Sequence, residues 1–181
     1  MEDKFGIIIW ENSHSGLIRF YLKLGRLSEK KKGEIFLTSA GLIKKVEQKK
    51  LNAGWLGHCF IRVKNDEKTI QWDEFFPFGQ KHSKNFRGFG TLVTAAIVTR
   101  LKKTYPGYLV YVGDAFKPRR KQLEKIGIEI KRYYPIEEYH KLIVGYSREM
   151  LKRHPLMPKP KKPLIKMAGR LISRFKLQSS R

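Results

Sequence analysis

Thr69-Ile70-Gln71-Trp72-Asp73-Glu74-Phe75-Phe76-Pro77-Phe78 runs into a polar loop, Gly79 to Arg87, then Gly88-Phe89-Gly90, then Thr91 to Lys103. This stretch decides the fold. The first ten residues read as a strand. Thr91 to Lys103 reads as a helix, stopped by Tyr105-Pro106-Gly107. A strand entering a helix through closely spaced glycines is a phosphate-binding layout. Glycine lets a ligand approach the backbone, and the first N–H groups of a helix lack intrahelical partners. The helix dipole adds about half a positive charge at that end.

Working upstream, Trp55 to Val63 alternates as a strand and Lys64-Asn65-Asp66-Glu67 is a turn, so the two strands form an antiparallel hairpin. Glu34 to Ser39 is a third candidate strand, and Leu42 to Leu51 is either helix or strand. Phe5 to Trp10 is an apolar first strand. Leu17 to Leu27 has apolar residues at 17, 18, 20, 21, 22, 24 and 27 and is expected to be a helix, with Ser13 or Ser15 as its cap. Downstream, Tyr108 to Val112 is a strand of β-favouring residues. Pro118 to Ile126 is a helix with Pro at its start and Gly127 at its end. Ile128 to Tyr134 is a last strand and Ile136 to Arg153 a long helix. The expected class is α/β (α+β), with a mixed, mostly antiparallel central sheet flanked by helices.

The chain has 181 residues, 39 Lys and Arg against 16 Asp and Glu, and a net charge of +23. With 41% hydrophobic and 12% aromatic residues it is a folding sequence with a strong positive field, not a disordered polycation. The lone Cys59 excludes an internal disulfide framework and a cysteine-cluster zinc site, and the histidines 14, 58, 82, 140 and 154 show no metal-ligand spacing. No apolar run reaches the roughly 18 residues of a membrane span, and Met1-Glu2-Asp3-Lys4 lacks a signal-peptide layout. The expectation is a reduced, cytoplasmic, soluble protein with anionic partners.

Net charge divides into +13 up to Glu149 and +10 beyond it, where no acidic residue occurs. The chain is therefore expected to comprise a domain over 1–153, a stiff Pro/Lys-rich linker over 154–163 and a basic amphipathic tail helix over 164–181. Leu164, Met167, Ala168, Leu171, Ile172 and Phe175 form the helix stripe. It has three candidate seats: the body or a second copy in a homodimer, a membrane surface, or nucleic acid.

The nucleotide P-loop is excluded, because no Gly-Lys-Ser/Thr follows the glycines. A dinucleotide fingerprint would need a small residue at Val93 and could use Asp114 for the ribose.

The segment Trp55 to Val63, the turn, Thr69 to Phe78, and Asn85-Phe86-Arg87-Gly88-Phe89-Gly90-Thr91 resembles the core of GNAT-type N-acyltransferases. Leu123-Glu124-Lys125-Ile126-Gly127-Ile128 is similar to the helix end that closes that core. Asn85 stands where Arg or Gln is usual, and Leu123 where many members carry the tyrosine that protonates the departing thiolate. The resemblance implies transfer of an acetyl or other acyl group from acyl-CoA to an amine. The strand before the loop would splay from its neighbour. The pantetheine arm would lie along Phe76 and Phe78, and the pyrophosphate on the helix start, held by Arg87, Gly88, Phe89, Gly90 and Thr91. On that strand Asp73 and Glu74 would point to opposite faces. Glu74, sharing a face with Trp72, Phe76 and Phe78, is the candidate general base. Tyr111, on the facing strand, is the candidate acid.

Asp73-Glu74-Phe75-Phe76-Pro77-Phe78-Gly79 also resembles the Asp-x-x-x-Pro-Phe-Gly segment of toxin-activating lysine acyltransferases. That resemblance implies a GNAT-like fold, an acyl carrier protein as donor, and His14 as the catalytic histidine with Asp73 as its partner. A non-enzymatic basic protein that holds nucleic acid or a membrane surface through the tail is the competing class. Its sign is cations interleaved with aromatics, as in Lys131-Arg132-Tyr133-Tyr134.

Overall fold

A computed structural model describes residues 4–38, 43, 46, 47, 49–76, 78, 89–113 and 117–153. The strands are β1 (Phe5–His14), β2 (Leu17–Arg26), β3 (Ile35–Leu37), β4 (Gly54–Lys64), β5 (Thr69–Phe76), β6 (Leu109–Val112) and β7 (Arg132–Pro135). The helices are α1 (Phe89–Thr104), α2 (Lys117–Glu124) and α3 (Ile136–Arg153). The sheet has seven strands in the order β3-β1-β2-β4-β5-β6-β7, antiparallel at every pairing except β5 with β6. The mixed α/β expectation holds.

One expected element is overturned. Leu17 to Arg26 is a strand, not a helix. Its inward positions Ile18, Phe20, Leu22 and Leu24 are all at most 2% exposed, a period of two. The cap expected at Ser13 or Ser15 is instead a two-residue hairpin loop. Ser15 (φ 48°) and Gly16 (φ 77°) both take positive φ, and His14 pairs with Leu17. Positive φ at both central residues is the type I′ pattern, whose twist matches that of the strands it joins.

The inner face of the sheet carries Ile7 and Ile9, the four β2 residues, Cys59, Ile61 and Val63, Ile70, Val110 and Val112. α1 lies against this face and α3 packs on α1, so α1 is buried along most of its length, including Val93, Thr94, Ile97 and Val98. The buried Thr94 hydroxyl donates to the Gly90 carbonyl (2.9 Å), which leaves no orphan polar group there. β7 is shorter than expected. Ile128 is fully buried ahead of it, and strand pairing begins only at Arg132. Among the described residues no helix is long and apolar enough to cross a membrane. The linker and tail expected over 154–181 lie outside the described residues.

Candidate functional site on the outer sheet face

The β4–β5 hairpin contains the irregularity that builds the site. From Lys64↔Thr69 the register runs regularly to Ile61↔Trp72, then jumps to Phe60↔Glu74, leaving Asp73 as the extra residue of a β-bulge. Without the bulge Glu74 would stand opposite Cys59, which is fully buried on the inner face. A carboxylate there would be desolvated without a cationic partner. The bulge turns Glu74 outward and keeps Trp72 and Phe75 together, their rings edge to face at 5.5 Å.

The expected arrangement of this strand is therefore corrected in two respects. Asp73 and Glu74 are not on opposite faces, since both carboxylates reach partners on the outer face. Glu74 shares that face with Phe76 but not with Trp72, which pairs with Ile61. Asp73 Oδ2 accepts two hydrogen bonds from Arg62, from Nε at 3.1 Å and Nη2 at 2.9 Å. Glu74 Oε2 lies 3.1 Å from His58 Nε2, with the two side chains 48% and 30% exposed. His58 is the site residue that sequence reasoning missed. It stands opposite Phe76 in the ladder and reaches Glu74 diagonally, a relation that exists only because the bulge has shifted the register by one.

Around this pair the outer face is aromatic. Trp10, Tyr21, His58 and Phe76 stand opposite one another on β1, β2, β4 and β5. Trp10 stacks on Tyr21 at 5.5 Å, Trp55 lies 5.6 Å from Tyr21, and His58 stacks on Phe60 at 4.5 Å. Arg19 lies over the Phe60 ring at 5.6 Å. Trp55 is 51% and Phe76 44% exposed, high values for such large apolar side chains.

The remaining sequence candidates divide as follows. His14 ends β1 on the hairpin, where Nδ1 lies 2.6 Å from Ser15 Oγ; its expected partner Asp73 is held by Arg62 instead. Tyr111 stands opposite Gln71 on β5, three residues short of Glu74, with its ring 4.9 Å from Tyr133. Leu123 is buried, 3% exposed. Phe89, Gly90 and Thr91 form the first turn of α1, with the Phe89 and Thr91 side chains buried. Arg87 and Gly88 lie outside the described residues, as does Pro77, whereas Phe78 is described and half-buried.

The β5–β6 ladder covers only Thr69 to Gln71, while the β4–β5 ladder continues to Phe76. Glu74 and Phe76 therefore lie on the part of β5 beyond its pairing with β6. A shallow groove of about 650 Å³ opens between the two hairpin turns and is lined by Ser15, Gly16, Arg62 and Asp66 among others, but by neither His58 nor Glu74. Among the described residues no cluster of His, Cys, Asp and Glu is arranged to hold a metal ion. Compared with protein-family models, with curated proteins and with solved structures, the chain matches none of them.

Proposed function

We propose that this protein is an N-acyltransferase of the GNAT type, moving an acyl group from an acyl thioester to an amine. The observation that carries the reading is the His58–Glu74 pair, seated on the outer face beside the segment of β5 that outruns β6. The strand–helix–parallel strand order of β5, α1 and β6 supports it, because the start of α1 presents the positive end of a helix dipole to a diphosphate. Phe89, Gly90 and Thr91 would contribute main-chain amides there, with Arg87 as the side-chain clamp and Phe76 and Phe78 along the pantetheine.

The chemistry follows from the pair. An imidazole whose Nε2–H donates to Glu74 is fixed in one tautomer and keeps a lone pair on Nδ1. As the amine nitrogen attacks the thioester carbonyl, the C–N bond forms and the C–S bond breaks. His58 Nδ1 takes the amine proton, and the sulfur leaves as a thiolate that is protonated from solvent. Glu74 orients the ring and balances the imidazolium charge. This reading moves the base from Glu74 to His58 and makes Glu74 the positioning residue. An acidic acyl carrier protein is the second donor to test, favoured by the +23 charge.

The test supplies acetyl-CoA, longer acyl-CoA or acyl carrier protein together with a panel of amines and measures thiol release. His58→Ala should lower kcat about 10²- to 10⁴-fold. Glu74→Gln should lower turnover far more than donor affinity, and equal loss of both would remove Glu74 from the catalytic pair. Gly90→Glu should abolish the rise in melting temperature that acyl-CoA produces. No thermal shift at millimolar acyl-CoA and no thiol release with any donor would overturn the proposal.

A further inference from the structure

The outer face carries more aromatic surface than a proton-transfer pair needs. Trp10, Tyr21, His58 and Phe76 form one row across four adjacent strands, flanked by Trp55 on one side and Phe60 on the other. Strands sit about 4.8 Å apart, so the row spans about 14 Å. Every large side chain of this group is a ring, and four of the six bear a polar ring atom or hydroxyl.

Among the described residues the acidic groups around the row are all matched by bases, and one arginine is left over. Each acidic group on or beside the row is held by a base: Glu74 by His58, Asp73 by Arg62, and Glu29 by Lys23 at 3.7 Å. Arg19, seated over Phe60, makes no ion pair among the described residues. The whole chain adds a field of +23.

We infer that this face is a stacking platform for single-stranded nucleic acid. Unpaired bases lie on Trp55, Tyr21 and Trp10 and phosphates lie near Arg19. Open sheets with exposed rings stack two or three bases in this manner, and stacking tolerates any sequence because every base has a π-face. A duplex hides its base faces and gains nothing from the rings, so the platform selects single strands. The inference does not depend on acyl transfer and would stand if that chemistry were absent.

The test is a titration of the full-length protein with a labelled, unstructured oligonucleotide of about 12 nucleotides and with a duplex of the same length. Tryptophan emission is followed in parallel, since Trp10 and Trp55 face outward. The single strand should bind more tightly than the duplex and quench that emission. Trp55→Ala and Tyr21→Ala should each weaken single-strand binding roughly 5- to 100-fold and leave duplex binding unchanged. Trp55→Leu, which keeps an apolar side chain but removes the ring, should behave like Trp55→Ala and separates stacking from misfolding. Three outcomes would overturn the inference: equal affinity for single strand and duplex, single-strand affinity unmoved by the ring substitutions, or no binding of the oligonucleotide while phosphatidylserine vesicles added in a parallel titration do bind.

Discussion

His140 on α3 approaches Thr99 on α1, Nε2 to Oγ1 at 3.1 Å, and Thr99 donates its own proton to the Ala95 carbonyl at 2.7 Å. The imidazole therefore presents Nε2–H to the Thr99 oxygen. Burial pushes the His140 pKa down, and the positive charges of Lys102 and Arg148 push the same way against Glu137. Because the folded value is lowered, the unfolded chain takes up this proton first as pH falls. Stability is fully present above about pH 6.5 and is lost as pH falls towards and through the folded value. His140→Gln should flatten this part of the pH profile, seen as a melting temperature that declines less between about pH 7 and pH 5 than in the parent. Glu74 was legible as a chemical group because a carboxylate in an aromatic strand is unusual. Its partner was not, because His58 lies sixteen positions away and meets it only through a shifted register.

At the scale of elements, β2 explains how an apolar pattern can mislead. Apolar residues at 17, 18, 20, 21, 22, 24 and 27 satisfy both a helical stripe and a strand with one buried face, and only the pairing partners decide. The decisive local signal was Ser15-Gly16, a dipeptide suited to a tight hairpin rather than a helix cap. Gly16 is required on two counts. Its φ is +77°, and a Cβ there would stand 2.7 Å from the Val63 carbonyl oxygen, while Val63 donates to the Gly16 carbonyl. Gly16→Ala should cost about 1–3 kcal/mol in urea unfolding. Leu22→Ala, at a fully buried position, should cost about 2–5 kcal/mol, and Lys23→Ala, one residue along on the outer face, within about 0.5 kcal/mol. Comparable losses at Leu22 and Lys23 would contradict the strand. The hairpin of β4 and β5, α1, β6 and α3 were all legible, since each is bounded by turn residues and has a pattern matching a single period.

Across the whole molecule, α1 packs against the inner face of the sheet and against α3, which itself reaches β6 and β7, and this crowding suits the small residues of α1. Ala95 and Ala96 are buried, 8% and 6% exposed, in a close-packed interior. Ala96→Leu should destabilise the fold by about 1–3 kcal/mol, read from the denaturation midpoint, despite the higher hydrophobicity of leucine. Among the described residues α1 and α3 pack together on the inner side, and the aromatic row and the His58–Glu74 pair lie on the outer side. The row of rings on the outer face is a property of the assembled sheet and of no single strand, because Trp10, Tyr21, His58 and Phe76 come from four strands.

Most local elements and the chemical character of the chain could be read from the residues alone. Turn residues and apolar periods act over a few neighbours, and charge is additive whatever the fold. What only the tertiary structure decided was which apolar face of Leu17 to Arg26 is buried, which way Glu74 points, and that His58 is its partner. Those outcomes depend on register, and register was shifted by one extra residue, Asp73, whose place in the bulge reflects the cost of burying a carboxylate against Cys59.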